Sequence, residues 1–461
     1  MKYFLKLFNS GVKMNALVID LTHGGFKIAM ELLETKYENI WAWDIYHSLN
    51  NTQKDLLESK GIKLTSEIPL VDNLDIIAPV HCPLDIEIDL THHGAVKYIL
   101  QDWKKSEIPV IEVTGVKGKS SVVGILKEIF NSRQPLVLSS LGAEYLDNES
   151  VINLKKNISI TPASIIETIQ LAKNCEYGIC IFETSLGGTG LAEVGVLTNV
   201  VEDYSIGQGK SKASLAKRQI FESQIICCEK ETLDQYYPNL NENILSRINS
   251  YSLKNPHAKV NVLNVKYGLD KTFIELDVKN LKTISGKSIS THLNIETFAP
   301  APHHVSNVLA ALTAALSLDL NINDILSGIK RFKGVKGRTS IKKEGNVIII
   351  EEINPGINVR ALEKTIKMAQ SMKNSIVILG GEYGITCEEI DELEAAKLLD
   401  SLKMHTPLIL TDQLGKGILK KMESPSIFIE NPQEALNYAI NKGARKIVFI
   451  YRSNYSNLKK R

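Results

Sequence analysis

The spacing of apolar and polar positions along this chain switches repeatedly between a pattern typical of buried strands and one typical of helices. Residues 16–19, 40–43 and 76–80 are short apolar runs of the kind that form buried strands, and residues 26–33 have helical spacing. Strands that alternate with helices in this way favour βαβ units and a parallel sheet. The first hundred residues are therefore predicted to form a small α/β domain.

The same alternation continues over the rest of the chain. Further core strands are predicted at 179–182 and 194–199, and a β-type alternation over 256–300 suggests a small antiparallel addition. Beyond a glycine-containing hinge at 334–338, strands are predicted at 347–350, 375–379, 407–410 and 446–450. We therefore expect an α/β protein of three domains, with boundaries at 14–103, 104–333 and 334–461.

The most informative local motif lies between an apolar run at 108–111 and a predicted helix. Residues 113–121 read Val-Thr-Gly-Val-Lys-Gly-Lys-Ser-Ser. Such a glycine-rich turn directs backbone N–H groups and the positive end of the helix at one point, where phosphate binds. Lys119 would reach the β- and γ-phosphates of ATP, and the Ser120 hydroxyl would hold Mg²⁺. The loop is shorter than the usual phosphate loop, so a purely structural turn is the alternative.

An acidic residue follows the next predicted core strand. Glu183 directly follows residues 179–182 and precedes a glycine-containing loop at 184–190. A carboxylate at the carboxyl edge of a core strand suits a Mg²⁺ ligand that faces the phosphate loop. The alternative is a solvated strand end. Because the phosphate loop lies upstream, we predict that Glu183 is a metal ligand.

Two similar segments occur in the first domain, at 19–25 (Ile-Asp-Leu-Thr-His-Gly-Gly) and 88–94 (Ile-Asp-Leu-Thr-His-His-Gly). Each leads into a helical pattern, and the loops at strand ends line the ligand crevice of an open α/β sheet. Their aspartates and threonines could merely cap helices, but capping does not require histidine. The candidates for substrate binding are Asp20, His23, His92 and His93.

Composition narrows the class of protein further. The 461 residues are 44% hydrophobic and 23% charged, and a net charge of +2 gives no electrostatic argument for a nucleic-acid partner. Six cysteines without a C-x-x-C pair favour reduced thiols in the cytoplasm. No apolar run reaches ~18 residues, so no transmembrane helix is expected. Residues 1–13 are basic and apolar; a later start at Met14 and a membrane-surface anchor are alternative interpretations.

In their order along the chain, these motifs resemble the Mur ligase family of ATP-dependent ligases. The family's phosphate loop falls on Thr114, Gly115, Val116, Lys117, Gly118, Lys119, Ser120 and Ser121, and its Mg²⁺-binding glutamate falls on Glu183. The lysine that many relatives carbamylate falls on Lys217, for which an exposed helix lysine is the alternative. Asn307 matches an adenine contact and Arg338 a phosphate contact. Tyr204 replaces a histidine that usually helps to hold a second Mg²⁺.

The resemblance implies an architecture and a reaction. The expected domains are an N-terminal substrate-recognition domain, a central phosphate-loop ATPase domain and a C-terminal Rossmann-like lid. A substrate carboxylate would attack the γ-phosphate of ATP to give an acyl phosphate and ADP. The implied catalytic residues are Lys119, Glu183, Lys217 and Arg338, and the implied Mg²⁺ ligands are Ser120, Glu183 and Lys217.

Within that family, the segments around Asp20, Thr91 and Tyr204 resemble the methanogen branch that produces coenzyme F(430). This resemblance implies a polycarboxylate nickel tetrapyrrole as substrate, with the nickel carried by the substrate rather than by the protein. A ring carbon would attack the activated propionate and close the last carbocycle, and a partner in the same pathway could hand over the tetrapyrrole. The alternatives are an amide ligase acting on a nucleotide-linked or folate-like acceptor, and a non-catalytic nucleotide-binding protein.

Overall fold

The alternating strands and helices fold into two units of α/β structure. The computed structural model describes residues 14–147, 150–207, 209, 211–268, 271–335, 339–353, 357–370, 374–384, 390–402 and 406–453. The first unit includes the described residues up to Leu263, with Glu275–Leu293 and Ser306–Gly328; the second includes Asn264–Ile274, Asn294–Val305 and the described residues from Ile329 onward. The α/β class is confirmed, whereas the three domain boundaries stay a prediction. Residues 1–13 and Arg338 lie outside the described residues.

The first unit contains a small sheet built from the apolar runs of the first hundred residues. Its strands are β1 Met14–Ile19, β2 Tyr37–Trp43, β3 Lys63–Leu64, β4 Leu74–Ala78 and β5 Leu90–Thr91, in the order β3-β2-β1-β4-β5. All pairings are parallel. The helices of this region are α1 Phe26–Leu32, α2 Asn51–Ser59 and α3 His92–Ile99. The strand order reverses beside β1, so the carboxyl ends of β1 and β4 flank a crevice.

The chain leaves β1 through a tight turn, Leu21–Gly25, before α1 begins. Asp20 has a φ of 66°, and its side chain accepts hydrogen bonds from the backbone N–H groups of Thr22 and His23. At the start of α3, Thr91 accepts a hydrogen bond from the N–H of Gly94. Both residues therefore cap these turns, and a further role of Asp20 in substrate binding stays a prediction.

A larger sheet carries the phosphate loop near its centre. The strands that follow along the chain are β6 Val110–Thr114, β7 Pro135–Ser139, β8 Gly142–Asp147, β9 Ser150–Lys155, β10 Ile179–Glu183, β11 Val194–Leu197, β12 Ser205–Ile206, β13 Ser211–Lys212, β14 Ile225–Glu229, β15 Ile248–Ser252, β16 Val260–Lys266, β17 Thr272–Lys282 and β18 Ser288–Thr297. Strands β12 and β13 form a hairpin, and the others have the order β18-β17-β16-β15-β14-β11-β6-β10-β7-β8-β9. The predicted β addition at 256–300 therefore extends this sheet, and β16 joins β15 in parallel.

Seven α-helices accompany these strands in the described residues, and four adjacent strands position the phosphate loop. The helices are α4 Lys119–Ile129, α5 Ala163–Leu171, α6 Ala213–Lys217, α7 Lys230–Tyr236, α8 Glu242–Leu245, α9 Pro302–Ser317 and α10 Ile322–Arg331. Strands β7, β10, β6 and β11 are neighbours and run in parallel. Because parallel strands end at the same edge, the segments after these four strands meet there.

The second unit contains a six-stranded sheet formed by the last third of the chain. Its strands are β19 Thr339–Glu344, β20 Val347–Ile353, β21 Ser375–Gly381, β22 Leu408–Thr411, β23 Ile427–Ile429 and β24 Lys446–Arg452, in the order β19-β20-β24-β21-β22-β23. Only the β19–β20 pairing is antiparallel among the described strands of this sheet. Its helices are α11 Val359–Gln370, α12 Glu392–Ser401, α13 Asp412–Leu419 and α14 Pro432–Asn441. Across the described residues, no helix is long and apolar enough to cross a membrane.

Candidate active site

The phosphate loop follows β6 and contains two glycines in left-handed conformations. Gly115 has a φ of 144° and Gly118 a φ of 88°. A Cβ atom on Gly115 would lie 1.9 Å from Thr198 Oγ1, and one on Gly118 would lie 2.2 Å from Asn307 Oδ1. Lys119 begins α4, and its Nζ donates to the carbonyl of Gly115 at 3.1 Å. The N-terminus of α4 therefore directly follows this glycine-containing loop, an arrangement that can bind phosphate.

The end of β11 fixes the shape of this loop. The N–H of Val116 donates to the carbonyl of Asn199 at 2.9 Å, and the N–H of Lys117 donates to Asn199 Oδ1 at 3.0 Å. In return, Thr198 Oγ1 donates to the carbonyl of Lys117 at 2.7 Å. A loop that its neighbouring strand holds in shape is preorganised, which favours the phosphate-site interpretation over a simple structural turn.

Glu183 lies beside the phosphate loop and is 1% exposed, so the solvated strand end is wrong. Its Oε1 accepts a hydrogen bond from Ser120 Oγ at 3.1 Å, and its Oε2 accepts one from the N–H of Ser140 at 3.0 Å. Ser140 follows β7, and its Oγ lies 2.9 Å from that of Ser120. A hydroxyl and a carboxylate oxygen thus share one buried corner, and hard oxygen ligands of this kind fit Mg²⁺.

Lys217 ends α6 and is fully buried, so the interpretation as an exposed helix lysine is wrong. Its Nζ donates to the carbonyl of Ser185 at 2.7 Å. Burial, and then the charge of Lys119, lower the pKa of Lys217 from 10.5 to about 7. Near neutral pH much of this amine is therefore uncharged and nucleophilic, as carbamylation by CO₂ requires.

The residues before Lys217 organise its helix. Asp203 accepts hydrogen bonds from the N–H of Ser214 at 2.8 Å and from its Oγ at 2.9 Å. Tyr204 is 40% exposed. In this arrangement Asp203 positions the helix that carries Lys217.

Glu112 is a buried carboxylate that sequence reasoning missed. It lies within β6, is fully buried and accepts hydrogen bonds from the N–H of Thr189, at 2.8 Å, and from its hydroxyl. Burial raises the pKa of Glu112 from 4.5 to about 7. A Cβ on Gly188 would lie 2.7 Å from the same carboxylate, so the glycine loop packs directly on it. The sequence signal that could have identified Glu112 is its position as a charged residue inside an otherwise apolar run.

A cavity of about 340 Å³ is lined in part by the same glycine loop. The histidines on its wall are His23, His81, His92 and His93, and the loop contributes Ser185 and Leu186. Its remaining walls include Pro79, Val80 and Ile206. The structure thus brings together the three predicted histidines, while their role in substrate binding stays a prediction. His81 was missed, although it lies in the segment that follows β4, as Asp20 lies in the segment that follows β1.

Asp20 lies behind this wall with a fully buried side chain. His23 Nδ1 lies 2.7 Å from Asp20 Oδ2, and His81 Nε2 lies 3.5 Å from the same oxygen. Burial alone would raise the pKa of Asp20, but its hydrogen bonds with the two histidines hold it well below the usual range. The hydrogen bond with Asp20 raises the pKa of His23 above 6.5.

The other two histidines of the wall are neutral because they are buried. Burial lowers the pKa of His92 to about 4, and burial together with His92 lowers that of His93 to about 3. His92 Nε2 lies 2.9 Å from the carbonyl of Ile19. His93 Nε2 is buried and, among the described residues, has no hydrogen-bond partner. His93 therefore retains a free nitrogen for a ligand.

Known proteins are similar in sequence to this chain. Residues 341–454 match the family model described as the coenzyme F430 synthetase CfbE C-terminal domain. A protein from Methanosarcina acetivorans named coenzyme F(430) synthetase is 30% identical over 404 residues, covering 80% of this chain and 84% of the relative. A protein of the same name from Methanocaldococcus jannaschii is 28% identical over 413 residues, covering 87% of this chain and 92% of the relative.

Solved structures share its fold. MurF from Acinetobacter baumannii has a TM-score of 0.60 at 15% identity, with 99% of this chain and 94% of that chain covered. MurF from Thermotoga maritima in complex with ADP has a TM-score of 0.53 at 12% identity, with 98% and 94% covered. At such low identity the likeness concerns the fold, and the predicted Mur-ligase-like architecture is confirmed.

Proposed function

The chain belongs to the coenzyme F(430) synthetase family of ATP-dependent ligases, and on this premise we propose that it closes the final carbocyclic ring of the nickel tetrapyrrole. The observation that carries this proposal is that the glycine loop 184–190 contacts Lys217 and also lines the histidine-containing cavity. Through Ser185 this loop accepts a hydrogen bond from Lys217, and through Ser185 and Leu186 it forms a wall of the histidine-lined cavity. This loop therefore joins Lys217, which we place in the phosphoryl-transfer step, to the cavity in which we place ring closure.

The first step transfers the γ-phosphoryl group of ATP to a substrate carboxylate. A carboxylate oxygen forms a bond to phosphorus, the bond to ADP breaks, and an acyl phosphate results. Lys119 neutralises charge on the transferring oxygens. Ser120 and Glu183 would hold Mg²⁺, which offsets charge on the β- and γ-phosphates. By the family resemblance, Arg338 contacts the same phosphates and Asn307 the adenine.

Lys217 contributes to this step in a carbamylated form. Its neutral amine attacks CO₂, so that an N–C bond forms and one proton leaves to solvent. The resulting carbamate would be able to hold a second Mg²⁺ through an oxygen, because its negative charge suits a dication better than an ammonium does. Tyr204 offers no imidazole that would help to hold that ion.

The second step joins carbon to carbon inside the cavity. A ring carbon attacks the acyl carbon, the C–O bond to phosphate breaks, and the ring carbon releases its proton. The apolar side chains Pro79, Val80, Leu186 and Ile206 exclude water that would hydrolyse the acyl phosphate. Because the nucleophile belongs to the same molecule, no second substrate is needed.

The cavity takes one propionate-bearing edge of the tetrapyrrole, since about 340 Å³ lies at the lower end of pocket sizes that enclose drug-sized ligands. His93 offers a neutral Nε2, without a hydrogen-bond partner among the described residues, that binds a substrate carboxylic acid or, axially, the nickel that the substrate carries. His92, His23 and Asp20 complete that side of the site. A pathway partner that hands over the precursor remains part of the proposal.

Isotope transfer tests this function directly. With a precursor whose propionate carboxylates carry ¹⁸O, one labelled oxygen should appear in each phosphate released, and no amino acid should be required. Phosphate without label would refute acyl-phosphate activation. Label transfer that depends on an added amino acid would instead favour the amide ligase, which the more distant Mur ligase relatives exemplify.

A further inference from the structure

The small parallel sheet places three potential metal ligands at one point of its crevice. Asp20 directly follows β1, and His81 lies three residues after the end of β4. These two strands are neighbours, and the strand order reverses beside them. Ligands of open α/β sheets bind at such reversal points, outside the carboxyl ends of the strands.

The backbone holds Asp20 in the orientation that a ligand needs. Its φ of 66° is strained for a non-glycine residue, and its Oδ1 accepts the N–H groups of Thr22, at 3.1 Å, and His23, at 3.2 Å. Because Oδ1 is occupied, Oδ2 is the oxygen presented to the two imidazoles. It lies 2.7 Å from His23 Nδ1 and 3.5 Å from His81 Nε2.

We propose that Asp20, His23 and His81 bind one divalent transition-metal ion that belongs to the protein. Their three ligand atoms lie within 4.8 Å of one another. Ligands about 2.1 Å from a tetrahedral ion are separated by roughly 3.4 Å, which is close to the His81–Asp20 distance. The shorter His23–Asp20 contact opens by less than an ångström when the ion replaces the proton between them. Two imidazoles and one carboxylate suit Zn²⁺, Co²⁺ or Ni²⁺ better than Mg²⁺.

This ion is distinct from the nickel of the substrate. Nickel inside a tetrapyrrole is already bound by the four ring nitrogens and offers axial positions alone, so it cannot accept three protein ligands. His23 and His81 both line the cavity, so the remaining coordination position of the ion faces it. On the premise of the proposed function, that position binds a carboxylate of the precursor and fixes its edge beside Ser185.

Cobalt titration tests the site without substrate. The full-length protein, freed of metal with a chelator, is titrated with Co²⁺ in the absence of ATP. We expect one equivalent to bind with the intense visible absorption of tetrahedral Co²⁺, whereas an ion at the oxygen ligands Ser120 and Glu183 would absorb weakly. His81→Ala should weaken binding by roughly tenfold or more, while His257→Ala, which removes an exposed histidine, should leave it unchanged.

His23→Ala provides a second variant in case His81→Ala does not fold, and ATP affinity and circular dichroism report folding in both. Absence of the tetrahedral absorption in the wild type would overturn the proposal. So would Co²⁺ affinity that neither variant alters, since the ion would then bind elsewhere and the Asp20–His23 pair would be a hydrogen-bonded dyad. The release of labelled phosphate from the precursor does not depend on the result of the cobalt titration. Failure of the metal-site proposal would therefore leave the proposed function standing.

Discussion

Replacing Lys217 with methionine should stabilise the protein while abolishing ligation. The ammonium is fully buried, and its pKa falls from 10.5 to about 7 on folding. A pKa difference of about 3.5 corresponds to about 5 kcal/mol that disfavours the protonated folded form. Methionine keeps an unbranched side chain of similar length and removes this penalty, so the folded state of Lys217→Met gains most near neutral pH.

The sign of the pH dependence follows from proton counts. Between pH 7 and 10.5 the unfolded chain keeps the proton on Lys217 that the folded chain has lost. The contribution of Lys217 to stability is therefore fully present above pH 10.5 and is lost as the pH falls toward 7. The slope is about 1.4 kcal/mol per pH unit, so the advantage of Lys217→Met should shrink by about 3 kcal/mol between pH 7.5 and 9.5.

Urea unfolding at these two pH values, in buffer free of CO₂, measures this difference. Lys212→Met is the matched control, because Lys212 is exposed and lies five residues earlier. Parallel pH dependence in the wild type and Lys217→Met would refute the reasoning. Added bicarbonate should then raise the unfolding midpoint of the wild type and of Lys212→Met but not that of Lys217→Met, because CO₂ binds to the folded-state amine of Lys217.

Three further predictions concern the loop, the buried glutamate and the cavity. Gly118→Ala should raise the KM for ATP at least roughly tenfold, because its Cβ would meet Asn307. Gly61→Ala is the control, because Gly61 also has a positive φ but lies in open space. An equal rise in the KM for ATP in both variants would contradict the prediction. Because folding raises the pKa of Glu112, the free energy of unfolding falls as the pH rises from 4.5 to about 7. Glu112→Gln should remove about 3 kcal/mol of this fall, measured as the difference between the free energies of unfolding at pH 5 and pH 8. An unaltered pH profile in the variant would refute this prediction. His93→Ala should raise the precursor KM and leave ATP binding intact, and unchanged kinetics would exclude His93 from the site.

Local sequence pattern predicted the phosphate loop and the strand that ends at Glu183. In both cases the evidence lies within about ten consecutive residues, where an apolar run precedes the motif. The contact between Glu183 and Ser140 could not be predicted in the same way. It requires β10 to pair with β7, and strand order depends on packing across the whole sheet.

The same limit applies to the cavity. The repeated segment Asp-Leu-Thr-His indicated Asp20 and His92, but His81 lies outside both copies of this segment. Only the adjacency of β1 and β4 brings His81 to Asp20. The burial of Lys217 was also hidden, because α6 is a five-residue helix and is too short to show a periodic apolar face.

The most direct test of the central claim is anaerobic incubation of the purified protein with MgATP and the ring-open nickel precursor. Optical spectra and mass spectrometry follow the tetrapyrrole, and ADP and phosphate are measured in parallel. The account predicts that the tetrapyrrole loses one water for each ADP and phosphate formed, without any amino acid. If folded, ATP-binding protein leaves verified precursor unchanged, the assignment of this chain as the ring-closing ligase is contradicted.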